Sequence, residues 1–198
     1  MKFAFDTDEV LRDTVNKIVA VYEKFFIEDY VYEEGEEEFK YEISTPITSY
    51  DFSNHLKFPS ENDYLNFMYM DFPMNICGHA PSISANTFNV LSTIQKTTLK
   101  KRDKLSIIAK AVAKQKPATL FFLSKYGTEV DEIIFYNKKN IKKMWSKYDV
   151  IVTANPELLL CKPKNKISIK VSTPYNTEIT ADYTINNIEG FTSVYNEL

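Results

Sequence analysis

MKFAFDTDEVLRDT, residues 1–14, is the stretch that decides the fold. A short apolar run, Phe3 to Phe5, leads directly to Asp6 and Asp8, and an amphipathic helical pattern follows at once. Such a run predicts a buried strand, so the two aspartates are expected in a strand-to-helix turn. There both carboxylates can point into the crevice beyond the strand's carboxyl end, where open α/β sheets bind ligands. A pair of carboxylates in that position can hold Mg²⁺, or one can attack phosphorus while the other moves a proton.

The rest of the chain alternates predicted strands with predicted helices. The strand segments after the first are residues 105–109, 132–136, 149–153 and 167–171, with a shorter one near residue 183. The helical segments that follow them are residues 116–127, 140–147, 156–160 and 187–197. The fourth strand segment, DVIVT, is nearly all apolar, as expected for a sheet that is covered on both faces. This alternation predicts an α/β fold with a parallel sheet.

Residues 27–103 interrupt the alternation between the first helix and the second strand. Ser60 begins a capping-box-like helix start within this region, and another helix is predicted over residues 86–99. We therefore predict an α/β core formed by residues 1–26 and 104–198, into which residues 27–103 are inserted as a mainly helical cap.

Composition excludes several classes of protein. The 198 residues carry a net charge of −3, which argues against a nucleic-acid partner. Only 4 glycines are present, and neither a dinucleotide-binding nor a P-loop motif occurs. The cysteines, Cys77 and Cys161, fit a reducing compartment better than a disulfide scaffold. Because the sequence has no membrane-spanning stretch and no signal-peptide pattern, we expect a cytoplasmic protein without a membrane partner.

Two charged runs in the inserted region allow alternative interpretations. The acidic run at residues 31–38, VYEEGEEE, is typical of a solvated loop but could also dock a basic partner. A basic cluster at the end of the second predicted cap helix and in the segment after it is typical of a solvated linker but could also meet an acidic partner or nucleic acid; its members are Lys96, Lys100, Lys101, Arg102 and Lys104.

The segment from Asp6 to Val10 resembles the DxDx[T/V] motif of the haloacid dehalogenase-like (HAD-like) superfamily. Its continuation, VLRDT, resembles the deoxyribonucleotidase branch, whose first loop often reads DxDGVLRD; Glu9 stands where that branch prefers glycine. The resemblance implies a Rossmann-like core with an inserted cap. It also implies that Asp6 is the nucleophile, that Asp8 is the general acid/base, and that the protein uses Mg²⁺ and a phosphate-containing small molecule.

Two further motifs of the superfamily are matched only in part. The second motif is a Ser or Thr at the end of the second strand, and that place falls on Ala109, which has no hydroxyl group. Ser124 could supply the hydroxyl group if its segment were a strand, but Pro117 and the glycine that follows favour a helix. The third motif is a lysine that offsets the charge of the nucleophile and phosphate. Lys139 matches it best; Lys138, Lys142 and Lys143 are alternatives.

The fourth motif shows the clearest departure. Active members present one or two acids after the fourth strand, and the pattern YDVIVTANPELL resembles the superfamily's xADxLIDDxPxxL with Thr153 and Ala154 in place of the acids. Asp6 then remains the clear side-chain ligand for Mg²⁺, while Asp8 contributes its backbone carbonyl in the family arrangement. Glu157 is the nearest acid that could complete a weakened metal site.

These departures leave two hypotheses. The first is a catalytically impaired pseudoenzyme retained for protein binding or assembly, because the phosphate hydroxyl group and the metal acids are lost together. The alternative is an active Mg²⁺-dependent phosphatase or 5′-nucleotidase that uses Asp6 as its nucleophile.

The chain also resembles divergent HAD-like proteins encoded by large tailed bacteriophages. That resemblance implies a virion-associated structural role, in the host cytoplasm or the virion, with a protein partner or a homo-oligomer. Aromatic residues of the inserted region are the predicted contact surface or, alternatively, the cap's own core; they are Tyr64, Phe67, Tyr69, Phe72 and Phe88.

Overall fold

A computed structural model describes residues 1–28 and 39–198, so the acidic run at residues 31–38 lies outside the described part. Its centre is a six-stranded sheet in the order β3-β2-β1-β4-β5-β6, in which every pair of neighbours is parallel. The strands are β1 (Lys2–Asp6), β2 (Lys104–Lys110), β3 (Glu132–Tyr136), β4 (Val150–Thr153), β5 (Ile167–Val171) and β6 (Tyr183–Ile185). The predicted parallel α/β fold is confirmed, with the aspartate-bearing strand β1 in the middle of the sheet.

Helices connect the strands and build the inserted region. The α-helices are α1 (Thr14–Tyr22), α2 (Glu61–Asn66), α3 (Thr87–Lys100), α4 (Gln115–Lys125), α5 (Lys142–Lys147), α6 (Pro156–Leu160) and α7 (Phe191–Glu197). Shorter helical turns are of the π type at Glu23–Glu28, Phe67–Asp71 and Met74–Gly78, and of the 3₁₀ type at Phe52–Asn54 and Ile188–Gly190. As predicted, Ser60 caps α2, because its hydroxyl group accepts a hydrogen bond from the backbone N–H of Asp63.

The segment that contains Ser124 is a helix. Pro117 lies in the first turn of α4, where a missing backbone N–H costs no hydrogen bond, and Gly127 follows with a φ of 57°. The Ser124 hydroxyl group donates to the carbonyl of Phe121 within the same helix. Ser124 is therefore not at the end of a strand, and the alternative in which it supplies the phosphate-binding hydroxyl group is wrong.

Apolar side chains cover both faces of the sheet because successive residues of a strand point in opposite directions. On one face Phe3 and Phe5 pack edge-on against Phe191 of α7, with ring centroids 5.9 and 4.8 Å apart. On the other face Ala4 packs with Trp145 of α5, in a second buried cluster. This double cover explains why the strands read as nearly continuous apolar runs.

Helix α3 falls within the predicted insertion but packs with the sheet. Its buried residues Leu91 and Ile94 belong to the same apolar cluster as Phe3 and Phe5 of β1. By its packing α3 is thus part of the layer that covers the sheet. The boundary at residue 103 stays a prediction from sequence.

The remaining part of the inserted region has an apolar cluster of its own above α1. Ile18 and Tyr22 of α1 lie at its base, and Phe67 is buried at its centre. Tyr64, Tyr69 and Phe72 pack against the same cluster, whereas Phe88 stacks on Tyr126 of the core at 3.9 Å. These rings are engaged inside the protein, which matches the second of the two interpretations; whether the protein has a partner stays a prediction.

No helix within residues 1–28 and 39–198 combines the length and the apolar character needed to cross a membrane.

Candidate functional site

The turn after β1 is built around Glu9. This residue has a φ of 61°, a backbone conformation that suits glycine and is strained for other residues. Its carboxylate accepts hydrogen bonds from the backbone N–H groups of Thr14 and Val15, both at 2.8 Å. These N–H groups belong to the first turn of α1 and have no partner within the helix. A side chain that caps α1 thus stands at the position where the deoxyribonucleotidase-like pattern has glycine.

Asp6, the predicted nucleophile, ends β1 and is only 1% exposed. One carboxylate oxygen accepts a hydrogen bond from the backbone N–H of Thr7 at 3.0 Å. The other oxygen accepts hydrogen bonds from the hydroxyl groups of Tyr136 and Thr153, at 2.9 and 2.7 Å. Burial, with a smaller contribution from the nearby charge of Asp8, raises the pKa of Asp6 to about 7. Donors from β3, from β4 and from the turn after β1 therefore hold this carboxylate at the end of the central strand.

Thr153 ends β4, where the sequence resemblance predicts a metal-binding acid. Its hydroxyl group donates to Asp6 and accepts a hydrogen bond from the backbone N–H of Asn155. The side-chain amide of Asn155 in turn donates to the Tyr136 hydroxyl group at 3.0 Å, which closes the network. Ala154, the second of the two positions, is buried in the apolar cluster on the other face. A carboxylate at position 153 would repel Asp6 unless a cation lay between them, whereas the hydroxyl group stabilises the Asp6 carboxylate directly.

Asp8, the predicted general acid/base, is paired with the buried Arg12. One Asp8 oxygen accepts hydrogen bonds from Nε of Arg12 at 2.7 Å and from the Thr14 hydroxyl group at 2.6 Å. The same guanidinium donates to the hydroxyl group of Thr119 and to the carbonyl of Cys77. Burial alone would lower the pKa of Arg12, but the negative charge of Asp8 raises it overall. The arginine of the VLRD sequence thus neutralises Asp8 and ties the β1 turn to α4 and the cap.

Lys110 is the residue of this edge that the sequence analysis missed. It ends β2 directly after the buried Ala109, and its ammonium group donates to the Glu157 carboxylate at 3.0 Å. The ammonium group also lies 3.4 Å from the hydroxyl oxygen of Tyr50, a cap residue, and 4.6 Å from the centre of that ring. Its position in the sequence could have indicated it, because Lys110 directly follows Ala109 at the end of the second predicted strand, where the family resemblance places the phosphate-binding group.

A cavity of about 580 Å³ separates the cap from this edge of the sheet. Its charged lining residues are Asp8, Glu9, Asp51, Lys110, Lys138, Lys139 and Glu157. Its aromatic lining residues are Tyr50, Phe52, Tyr64, Tyr69 and Tyr175. Four predicted site residues therefore lie in or beside one site: Asp8, Lys139 and Glu157 line the cavity, and Asp6 lies at the end of the central strand. The alternative lysines Lys142 and Lys143 lie on α5.

The carboxylates at this edge fit a magnesium site poorly. Mg²⁺ prefers an octahedron of oxygen ligands with free carboxylates among them. Here Asp6 accepts hydrogen bonds from two hydroxyl groups, Asp8 is paired with Arg12, and Glu157 is paired with a lysine. Across the described ranges, no group of three or more His, Cys, Asp or Glu side chains could hold a metal ion.

Comparison with known proteins identifies the fold. No protein-family model and no curated protein sequence matches the chain. A crystal structure of a dehalogenase is similar over 98% of this chain and 96% of its own, with 9% sequence identity and a TM-score of 0.56. A haloacid dehalogenase-like hydrolase of Burkholderia xenovorans LB400 is similar over 99% and 96%, with 12% identity and a TM-score of 0.56. At these identities the similarity shows the fold alone.

The chain is therefore an α/β protein with a Rossmann-like core and a cap above the carboxyl edge of its sheet. More specifically, it has the HAD-like fold that the sequence motif predicted.

Proposed function

We propose that the chain is a catalytically impaired HAD-like protein retained for binding rather than for phosphoryl transfer. One observation carries the proposal: the carboxylates that the fold would use for chemistry are already engaged by donors of the protein. Asp6 is bound by Tyr136 and Thr153, and Asp8 is bound by Arg12. These contacts supply stabilisation of negative charge that a metal ion would otherwise provide.

The position of Asp6 supports an impaired nucleophile. An attacking carboxylate oxygen has to reach the phosphorus atom, so it must face the substrate with a free lone pair. The Asp6 carboxylate is buried: one oxygen accepts two hydrogen bonds, from Tyr136 and Thr153, and the other accepts one from the backbone N–H of Thr7. Ala109 adds to this, because it brings no hydroxyl group to the end of β2, where a phosphate would otherwise be held.

The alternative is an active Mg²⁺-dependent phosphatase or 5′-nucleotidase with Asp6 as nucleophile and Asp8 as general acid/base. A specific observation favours it: both aspartates lie at the carboxyl end of the central strand, and Asp8 and Lys139 face the cavity under the cap. This arrangement requires Asp6 to exchange its present hydrogen bonds for contacts with substrate.

Turnover separates these two functions. The purified protein is incubated with Mg²⁺ and p-nitrophenyl phosphate, then with a panel of nucleoside monophosphates, with Asp6→Asn as the matched control. We expect no difference in product release between the two proteins and no rise in melting temperature when Mg²⁺ is added. Turnover that Asp6→Asn abolishes would establish the phosphatase and overturn the impaired function.

The binding role extends to a protein partner, and a virion-associated assembly is the form that the phage resemblance suggests. Exposed apolar residues beside the cap support it: Met74, Leu120 and Phe121 are 41%, 45% and 39% exposed. Met74 and Phe121 both flank Gly78, so they form one patch rather than isolated side chains.

Light scattering tests self-association through this patch. If the protein is an oligomer, Phe121→Glu should convert it into a monomer. A wild-type protein that is monomeric at high concentration contradicts the homo-oligomer.

A further inference from the structure

The ion pair between Lys110 and Glu157 lies at the floor of the cavity. Both side chains are partly exposed, at 28% and 31%, and both line the space under the cap. A partly exposed ion pair is weak, because water competes for each charge. An anion that enters the cavity can therefore replace Glu157 as the partner of Lys110.

The other charges around the cavity favour an anion. Within the described residues, neither Lys138 nor Lys139 forms an ion pair, and both line the cavity. The other lining acids already have partners: Asp8 is paired with Arg12, while Glu9 and Asp51 accept hydrogen bonds from neutral groups of Thr14, Val15 and Ser53. The positive charges that remain available attract an anionic group toward Lys110.

The walls of the cavity favour a planar ring beside that anionic group. Tyr50 comes from the cap and Tyr175 from the core, and their ring centroids are 5.5 Å apart. Lys110 lies against the Tyr50 ring, so an anion bound to its ammonium group would sit at the edge of this aromatic wall. Aromatic side chains contribute large contact areas at low entropic cost, and they stack on planar ligands.

We propose that Lys110 binds the oxyanion of an aromatic small molecule without a metal ion, and that Glu157 is an internal competitor which the ligand displaces. This inference rests on the binding role proposed above and names the class of ligand for the same cavity. The ring lies against the tyrosine wall, and the oxyanion takes the position of the Glu157 carboxylate on the Lys110 ammonium group.

The variant Glu157→Gln gives the most decisive test, because two possible roles of Glu157 predict opposite changes in ligand affinity. If Glu157 completes a metal site, Glu157→Gln weakens ligand binding. If Glu157 competes with the ligand, Glu157→Gln removes a rival anion and tightens binding, by roughly threefold or more. Lys110→Met removes the charged donor and should weaken binding by about tenfold or more.

Calorimetric titration in EDTA tests the proposal with three probes: phenyl phosphate, phenyl sulfate and inorganic phosphate. We expect both aromatic probes to bind more tightly than inorganic phosphate, with Glu157→Gln tightening and Lys110→Met weakening the binding of both. Lys164→Met, at an exposed position in the turn before β5, is the matched control and should bind like the wild type. Thermal unfolding checks that each variant is folded.

Several results would overturn the proposal: no binding of any probe in EDTA, weaker or unchanged binding by Glu157→Gln, or equal binding of inorganic phosphate and phenyl phosphate. Its failure is distinguishable from failure of the proposed function. Asp6-dependent turnover of p-nitrophenyl phosphate would overturn the impaired function, yet tighter binding by Glu157→Gln in EDTA would still support the competitor role.

Discussion

Two charged clusters share the carboxyl edge of the sheet and differ in their access to water. Asp6 and Arg12 are each 1% exposed, and their hydrogen-bond partners lie within the protein, although Asp8 itself is 28% exposed and lines the cavity. The pair of Lys110 and Glu157 is partly exposed and faces the cavity. The residues that carry the family resemblance are thus built into the scaffold, whereas the charge available to a ligand comes from a position outside those motifs.

Burial explains why the first cluster is fixed. An arginine taken out of water is stable only when its donors are satisfied, and Arg12 reaches Asp8, Thr14, Thr119 and the carbonyl of Cys77. Releasing Asp8 for a proton transfer would leave the guanidinium charge without its counter-ion. The pair of Lys110 and Glu157 can separate at low cost, because water reaches both groups.

Arg12→Met should therefore have the largest effect on stability. We expect it to lower the free energy of unfolding by about 3 kcal/mol or more, because it removes a buried guanidinium and leaves its acceptors on Asp8, Thr119 and Cys77 without that donor. Lys110→Met is the matched variant in the other cluster and should cost less than about 1 kcal/mol. Urea unfolding measures both values, and equal losses would contradict the distinction between the clusters.

Asp6→Asn should stabilise the protein at neutral and alkaline pH. The pKa of Asp6 is raised to about 7 in the folded state, from 3.8 in the unfolded chain, so the fold favours the protonated carboxyl group. The stability contributed by that proton is fully present below pH 3.8 and is lost as the pH rises through 7. This shift corresponds to roughly 4 kcal/mol at pH 8, but the NH₂ group of asparagine cannot accept the hydrogen bond from Thr7, so asparagine should recover about 2 to 3 kcal/mol at pH 8 and nothing below about pH 4.

Asp182 is the control for that prediction because its pKa is shifted in the opposite direction, downward. Burial acts to raise the pKa of Asp182, but hydrogen bonds from Ser168 and from Lys162 lower it overall. Its stabilisation is present above the unfolded pKa and disappears as the pH falls, so Asp182→Asn should destabilise the protein at pH 8. Thermal melts of both variants across pH measure this; equal pH profiles of wild type and Asp6→Asn would contradict the buried network.

Two variants of Glu9 compare how much stability the backbone strain costs with how much the capping hydrogen bonds contribute. Glu9→Ala loses the hydrogen bonds to Thr14 and Val15 and keeps a positive φ, so we expect a loss of about 2 kcal/mol. Glu9→Gly loses the same bonds but relieves the strain, and should be more stable than Glu9→Ala by about 1 kcal/mol. Chemical unfolding of both variants gives the difference; alanine at least as stable as glycine would show that the turn carries no strain.

The sequence was sufficient for the fold because local patterns specify it. Apolar runs predicted the strands, and Pro117 and Ser60 predicted where two helices begin. The partners of charged groups were not predictable, since they depend on distant positions. Lys110 meets Glu157 and Tyr50 only when the sheet and the cap are assembled, and Arg12 meets Thr119 across the β1 turn and α4.

Glu9 shows the same limit on a local scale. The sequence shows only a departure from glycine, whereas the compensation depends on the carboxylate reaching the N–H groups of α1. The sequence places Thr153 and Ala154 at the end of the fourth strand, but which way each side chain points is visible only in the folded protein. Thr153 turns to Asp6, whereas Ala154 enters the apolar cluster of the opposite face.

Lys139 provides the finest test, because the sequence predicted it as the lysine of the site whereas the structure places Lys110 beside Glu157. The Lys139 side chain is exposed and lines the cavity, and its backbone N–H donates to the side chain of Asn137 in the turn after β3. An exposed charge acts on a ligand through water, so Lys139→Ala should weaken phenyl phosphate binding by only about twofold. The effect should fade in high salt, whereas the loss in Lys110→Met should persist, because a direct hydrogen bond is screened less than a distant charge. If Lys139→Ala lost more affinity for phenyl phosphate than Lys110→Met, then Lys139, the lysine that the motif indicates, would be the anion-binding residue instead of Lys110.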